Sequence, residues 1–140
     1  MGCERASALE ALTDYLLALR ALLEPEGPAS ARLAARLAAI CARPEERGAL
    51  TERTARAVAL ERAVMTGLSG GGDEPDQPAP LIDELAEHLR AILRDALCGH
   101  LDSDLVRVAD ELLAEAAQPP ATQGQRPAPA AESAEPSRVR

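Results

Sequence analysis

The sequence predicts an all-α protein, a small bundle of about five amphipathic helices with a disordered C-terminal tail. Three observations carry that expectation. The apolar residues are mostly Leu and Ala, both strong helix formers, whereas strand-forming residues are scarce: Tyr15 is the single aromatic, and Phe and Trp are absent. Leucines recur alternately three and four residues apart, the spacing that lines one face of a helix. Pro- and Gly-rich stretches interrupt this spacing at intervals suited to helices of roughly 8–20 residues.

Segment 1–68 reads as three helices. Ser7-Ala8-Leu9-Glu10 has the form of a capping box, in which the hydroxyl and the carboxylate satisfy two orphaned backbone donors, so the first helix is expected to start at Ser7. Leu9, Leu12, Leu16, Leu19 and Leu23 form its apolar stripe, widened by Tyr15 and Leu22, and Glu24-Pro25-Glu26-Gly27 ends it. Pro28 suits the first turn of a second helix, since its missing N–H would be unpaired there in any case, and this helix is expected to run to about Arg43. Leu33, Leu37 and Ile40 make its stripe, Ala34, Ala38 and Ala42 beside it permit a close neighbour, and Arg32, Arg36 and Arg43 lie along another face. After a break at 44–48, a third helix from about Leu50 to Met65 carries the stripe Leu50, Ala57, Leu60, Val64 and Leu68, with Val58 and Met65 widening the face.

Segment 69–80 is Gly-, Pro- and acid-rich, has no apolar residue to anchor it, and reads as a linker. Segment 81–117 then reads as an acidic αα-hairpin. Its first helix is expected from Pro80, with Asp83 and Glu84 near the positive end of the helix dipole and Ile82, Leu85, Leu89, Ile92 and Ala96 as a heptad-like stripe of coiled-coil type. Gly99 suits a C-terminal cap, and the last helix is expected to start at Asp102 or Ser103 and to bury Leu105, Val108 and Leu112. Segment 118–140, rich in Pro, Ala, Gln, Ser and Glu, is expected to be a disordered tail, because its few apolar side chains cannot offset the entropy of ordering it.

Charge and composition narrow the function. The formal net charge of −8 argues against nucleic acid and anionic membranes as partners, and the near absence of aromatics argues against base stacking. Acidic residues concentrate in 69–117, where twelve face three Arg. Cys3, Cys41 and Cys98 are too few and too scattered for a disulfide framework, which fits a reducing compartment. Early acidic residues and the lack of a long apolar run argue against a signal peptide or a membrane span, so a cytoplasmic protein is expected. Met1-Gly2-Cys3 resembles an acylated start only in part, since Ala6 stands where a myristoylation pattern has Ser or Thr.

The most site-like cluster is Cys98-Gly99-His100 with Asp102, Asp104 and, ten residues earlier, His88, all metal-ligand types. Its spacing matches no zinc pattern, and His88 would sit about 80° round the helix and about 15 Å along it from residue 98. The expectation is therefore a helix-end turn rather than a metal or Cys-His site. Gly70-Gly71-Gly72 lacks the preceding strand and the Lys of a phosphate loop, and the neighbouring acids would repel phosphate. The carboxylate pairs Glu45-Glu46, Asp83-Glu84 and Asp110-Glu111 are adjacent on helices and point about 100° apart, so they do not share an acid–base site. Segment 28–68 carries seven Arg against four Glu, the basis of an alternative reading as a DNA-associated regulator; pairing of these Arg with the acidic hairpin is the competing expectation. With no catalytic constellation, cofactor fingerprint or metal set, the sequence points to a non-catalytic helical interaction module or accessory subunit. Leu85, Leu89, Ile92, Leu105 and Leu112 are the candidate interaction residues, for self-association or for a helical protein partner. A metal or thiol sensor at Cys98 and His100 is the further alternative.

Overall fold

Among the described residues five helices follow one another, α1 (Gly2–Leu23), α2 (Leu33–Cys41), α3 (Arg47–Met65), α4 (Pro78–Leu97) and α5 (Leu105–Ala117), with one 3-10 turn at Pro28–Ser30. They come from a computed structural model that describes residues 2–67 and 78–118, with side chains from Ser7 onward. No strand occurs among the described residues. Most of the expected linker and the tail beyond Gln118 lie outside them.

The helix boundaries depart from expectation where local chemistry competes. The Ser7 capping box does not form, because α1 already runs from Gly2 and Ser7 lies inside it. Residues 4–6 are themselves good helix formers, so nothing stops the helix extending backward. The second helix does not start at Pro28. The chain makes one 3-10 turn there, Ala31 takes a left-handed conformation at φ 54°, and α2 proper begins only at Leu33. Conversely, α4 opens at Pro78, two residues before the expected start at Pro80, so that Pro78 and Ala79 of the expected linker belong to it. Both prolines fall in the first turn, where no intrahelical N–H bond is lost.

Leu12, Leu16, Leu19 and Leu23 of α1 are fully buried, and the cluster they anchor takes in Leu33 and Leu37 of α2, Ala57 of α3, Ile82, Leu85, Leu89 and Ile92 of α4 and Leu105 of α5. Segments 1–68 and 81–117 thus build one core. α1 is its centre and packs against each of the other four helices. The αα-hairpin reading needs correction: α4 lies chiefly on α1 and α5 chiefly on α2, while α4 and α5 barely touch. Gly99 produces this divergence. At φ 75° it ends α4 in a Schellman turn, the His100 N–H donating to the Asp95 carbonyl at 2.8 Å and the Gly99 N–H to the Ala96 carbonyl at 3.2 Å. α5 restarts at Asp104, not at Asp102 or Ser103, because the Asp104 carboxylate accepts from the Arg107 N–H at 3.1 Å.

Candidate functional site

Of the leucine-type residues singled out for interaction, Leu85, Leu89, Ile92 and Leu105 are buried, and they are buried against their own chain. Leu112 is only half-buried. Asp110, Leu113 and Ala114 face Arg32 and Ala35 of α2, and Leu112 sits one step round α5 from that contact. Leu85, Leu89, Ile92 and Leu105 therefore serve the core in cis, and a surface for another molecule lies on the outer faces.

Of the seven Arg residues of 28–68, Arg36, Arg47 and Arg53 donate side-chain hydrogen bonds within the fold. Arg36, expected on a face apart from the leucine stripe, is 2% exposed. Its Nε and Nη2 donate to the Asp110 carboxylate at 2.9 and 3.0 Å, and Nη1 donates to Glu26 at 2.6 Å and to the Leu23 carbonyl at 2.7 Å. One guanidinium thus ties α2 to α5 and to the end of α1, and Arg36 holds the Asp110 carboxyl below its ordinary value. Arg53 of α3 donates in the same way to Glu84 of α4 at 2.8–3.0 Å and lowers that carboxyl too. Arg20 closes a third pair on the buried Glu61, at 2.6 and 3.0 Å. Arg47 donates to the Ala39 and Ala42 carbonyls at the end of α2. Two of the Arg on α2 and α3 thus pair with acids of α4 and α5.

Sequence reading missed Glu24, which is 4% exposed. Its Oε1 accepts from the Arg32 N–H at 2.8 Å, from the Leu33 N–H at 3.3 Å and from the Ser30 hydroxyl at 2.7 Å, and so caps α2 from the end of α1. A cap eight residues upstream leaves no local sequence signal. Beside it a cavity of about 170 Å³ is lined by Arg20, Glu24, Leu33, Ala34, Val58 and Arg62. Glu24 and Arg20 are both engaged in the pairings above, although the Arg20 Nε itself has no partner among the described residues.

The structure disperses the Cys-His cluster. Cys98 and His100 are both exposed in the Schellman turn, whereas His88 is half-buried one turn beyond Glu84, its Nε2 3.7 Å from that carboxylate. Asp102 accepts from the Asp104 N–H at 2.9 Å rather than capping α5 itself. Among the described residues no group of three or more His, Cys, Asp or Glu is placed to hold a metal ion. Cys41 is a poor nucleophile: burial and the nearby Asp95 push its thiol up to about 11. The adjacent carboxylates diverge, Asp110 turning to Arg36 and Glu111 to Arg107.

What remains open is apolar surface. Leu97 is 87% and Leu93 42% exposed near the end of α4, Leu17 is 63% exposed on α1, and Met65 is 73% exposed at the end of α3. No described helix is long and apolar enough to cross a membrane. Fold and surface together define a five-helix bundle held by buried leucines and interhelical Arg–carboxylate pairs. No family model, curated protein or solved structure matches the chain.

Proposed function

We propose that the protein is a non-catalytic helical interaction module or accessory subunit. The observation that carries this reading is the exposure of Leu93 and Leu97, one turn apart near the end of α4, where the leucine row of Leu85 and Leu89 runs on past the core beside Arg90 and Arg94. A leucine left at 87% exposure contributes nothing to its own fold, whereas burying it against a partner is worth about 1.5–3 kcal/mol. The commitment of Arg20, Arg36 and Arg53 to carboxylates supports a protein partner over DNA, because phosphate contacts would have to compete with those pairs. The test is comparative affinity purification from the native host with the wild-type chain and with Leu93→Gln/Leu97→Gln. The reading expects a protein retained by the wild type in stoichiometric amount and lost from the variant, with the melting temperature unchanged. Identical retention by both chains would contradict it.

A further inference from the structure

The exposed face of α4 carries two acids in its N-terminal half and two Arg in its C-terminal half, with like charges one turn apart in each half. Pro80, Asp83, Glu87, Arg90, Arg94 and Leu97 follow one another alternately three and four residues apart, and all are exposed, so they form one straight outer stripe. Within that stripe Asp83 and Glu87 are like-charged neighbours at i,i+4, and so are Arg90 and Arg94; both spacings are repulsive in an isolated helix. The helix dipole favours Arg94 in the last turn but does not account for Glu87 and Arg90, which are central. Nor does the rest of the fold: Asp83, Glu87 and Arg90 enter no ion pair among the described residues, and Arg94 meets only its exposed neighbour Asp95, at 3.4 Å.

The order is, however, antisymmetric about the midpoint between His88 and Leu89. Reversing the helix end for end places Asp83 where Arg94 was, Glu87 where Arg90 was, and Pro80 where Leu97 was. We propose that the outer face of α4 is a self-association surface, on which a second copy of this chain docks its own α4 antiparallel across a two-fold axis. Each Asp83 then meets an Arg94 and each Glu87 an Arg90, so both like-charge neighbour pairs are interleaved with opposite charge. Leu97 of each copy covers the Pro80 end of the other, with Leu93 flanking, and the most exposed leucine of the fold is removed from water. This assignment rests on the interaction reading above and gives it a partner.

A charge-swap experiment on the full chain tests it, using sedimentation equilibrium from low to high micromolar concentration at low and high salt. The wild type is expected to form dimers that weaken as salt screens the pairs. Glu87→Arg alone sets Arg against Arg90 of the other copy, and Arg90→Glu alone sets Glu against Glu87, so each should raise the dissociation constant by about tenfold or more. An equimolar mixture of the two single variants should recover a heterodimer, because every opposed pair is again of opposite sign. Both positions are exposed, so folding should be unaffected, and circular dichroism checks this. A wild type that stays monomeric throughout would overturn the proposal while leaving a different partner for the Leu93 and Leu97 surface detectable in the purification above. Dimers that persist equally in both single variants would overturn it as well, by moving the contact to another face.

Discussion

Arg36 shows how a single side chain escapes a periodicity argument. Residue 36 falls off the Leu33, Leu37, Ile40 stripe, and although pairing of the Arg of 28–68 with the acidic segment 81–117 is expected, no local pattern picks out Arg36 or its partner Asp110, 74 residues away. Arg36 makes four hydrogen bonds, to Asp110, Glu26 and the Leu23 carbonyl. Arg36→Ala leaves the Leu23 carbonyl without its donor and two carboxylates without their cation. Because those carboxylates are more than a third exposed and rehydrate, the expected loss is about 2–4 kcal/mol, short of that for a fully buried pair, as read by urea denaturation. A loss within about 0.5 kcal/mol would mean that the network is a surface ornament. The same pairs set an acid limit. Asp110 and Glu84 are lowered in the fold by their bonds to Arg36 and Arg53, so their contribution is complete above the ordinary carboxylate pKa of about 4 and is lost as pH falls through the lower native values. The melting temperature should be flat from neutral pH to about 5 and fall below about 4, and Asp110→Asn/Glu84→Gln should start lower and fall less steeply. An equally steep acid limb in that double variant would place the linkage elsewhere.

Among the elements, those whose boundaries the sequence revealed are those capped locally. The leucine stripes of α1 and α4 are legible because each repeats over several turns, and the ending of α4 at Gly99 is legible because only glycine takes φ 75° without strain. α2 is not legible in the same way. Pro28 at a first turn looks like a start, but the chain spends 28–32 on a 3-10 turn and a left-handed Ala31, so that Glu24 can reach the N–H groups of Arg32 and Leu33. The element therefore depends on a carboxylate from another helix. Glu24→Ala should cost about 2 kcal/mol, more than an ordinary exposed cap, since it strands donors at a buried junction. Glu24→Gln should recover part of this, its amide oxygen still accepting. A neutral Glu24→Ala would show that water replaces the cap.

At the scale of the molecule, the all-helical class was readable from composition and spacing alone, because Leu and Ala in a three-four pattern satisfy only one secondary structure. The candidate surface was not. The stripe of Leu85, Leu89 and Ile92 has the same spacing whether it meets α1 of its own chain or another protein, and only the packing of α4 on α1 assigns it to the core. That assignment is the central claim, since it moves any partner to the outer faces. Equilibrium unfolding in guanidinium, followed on one sample by far-ultraviolet circular dichroism and by the fluorescence of Tyr15, tests it directly. Dichroism reports every helix, whereas Tyr15, the single aromatic, packs against the shared cluster from α1 alone. One core requires a single transition with coincident midpoints for the two signals. An early dichroic phase that leaves Tyr15 unchanged would mean that α4 and α5 come away from α1 independently, and would contradict the shared core.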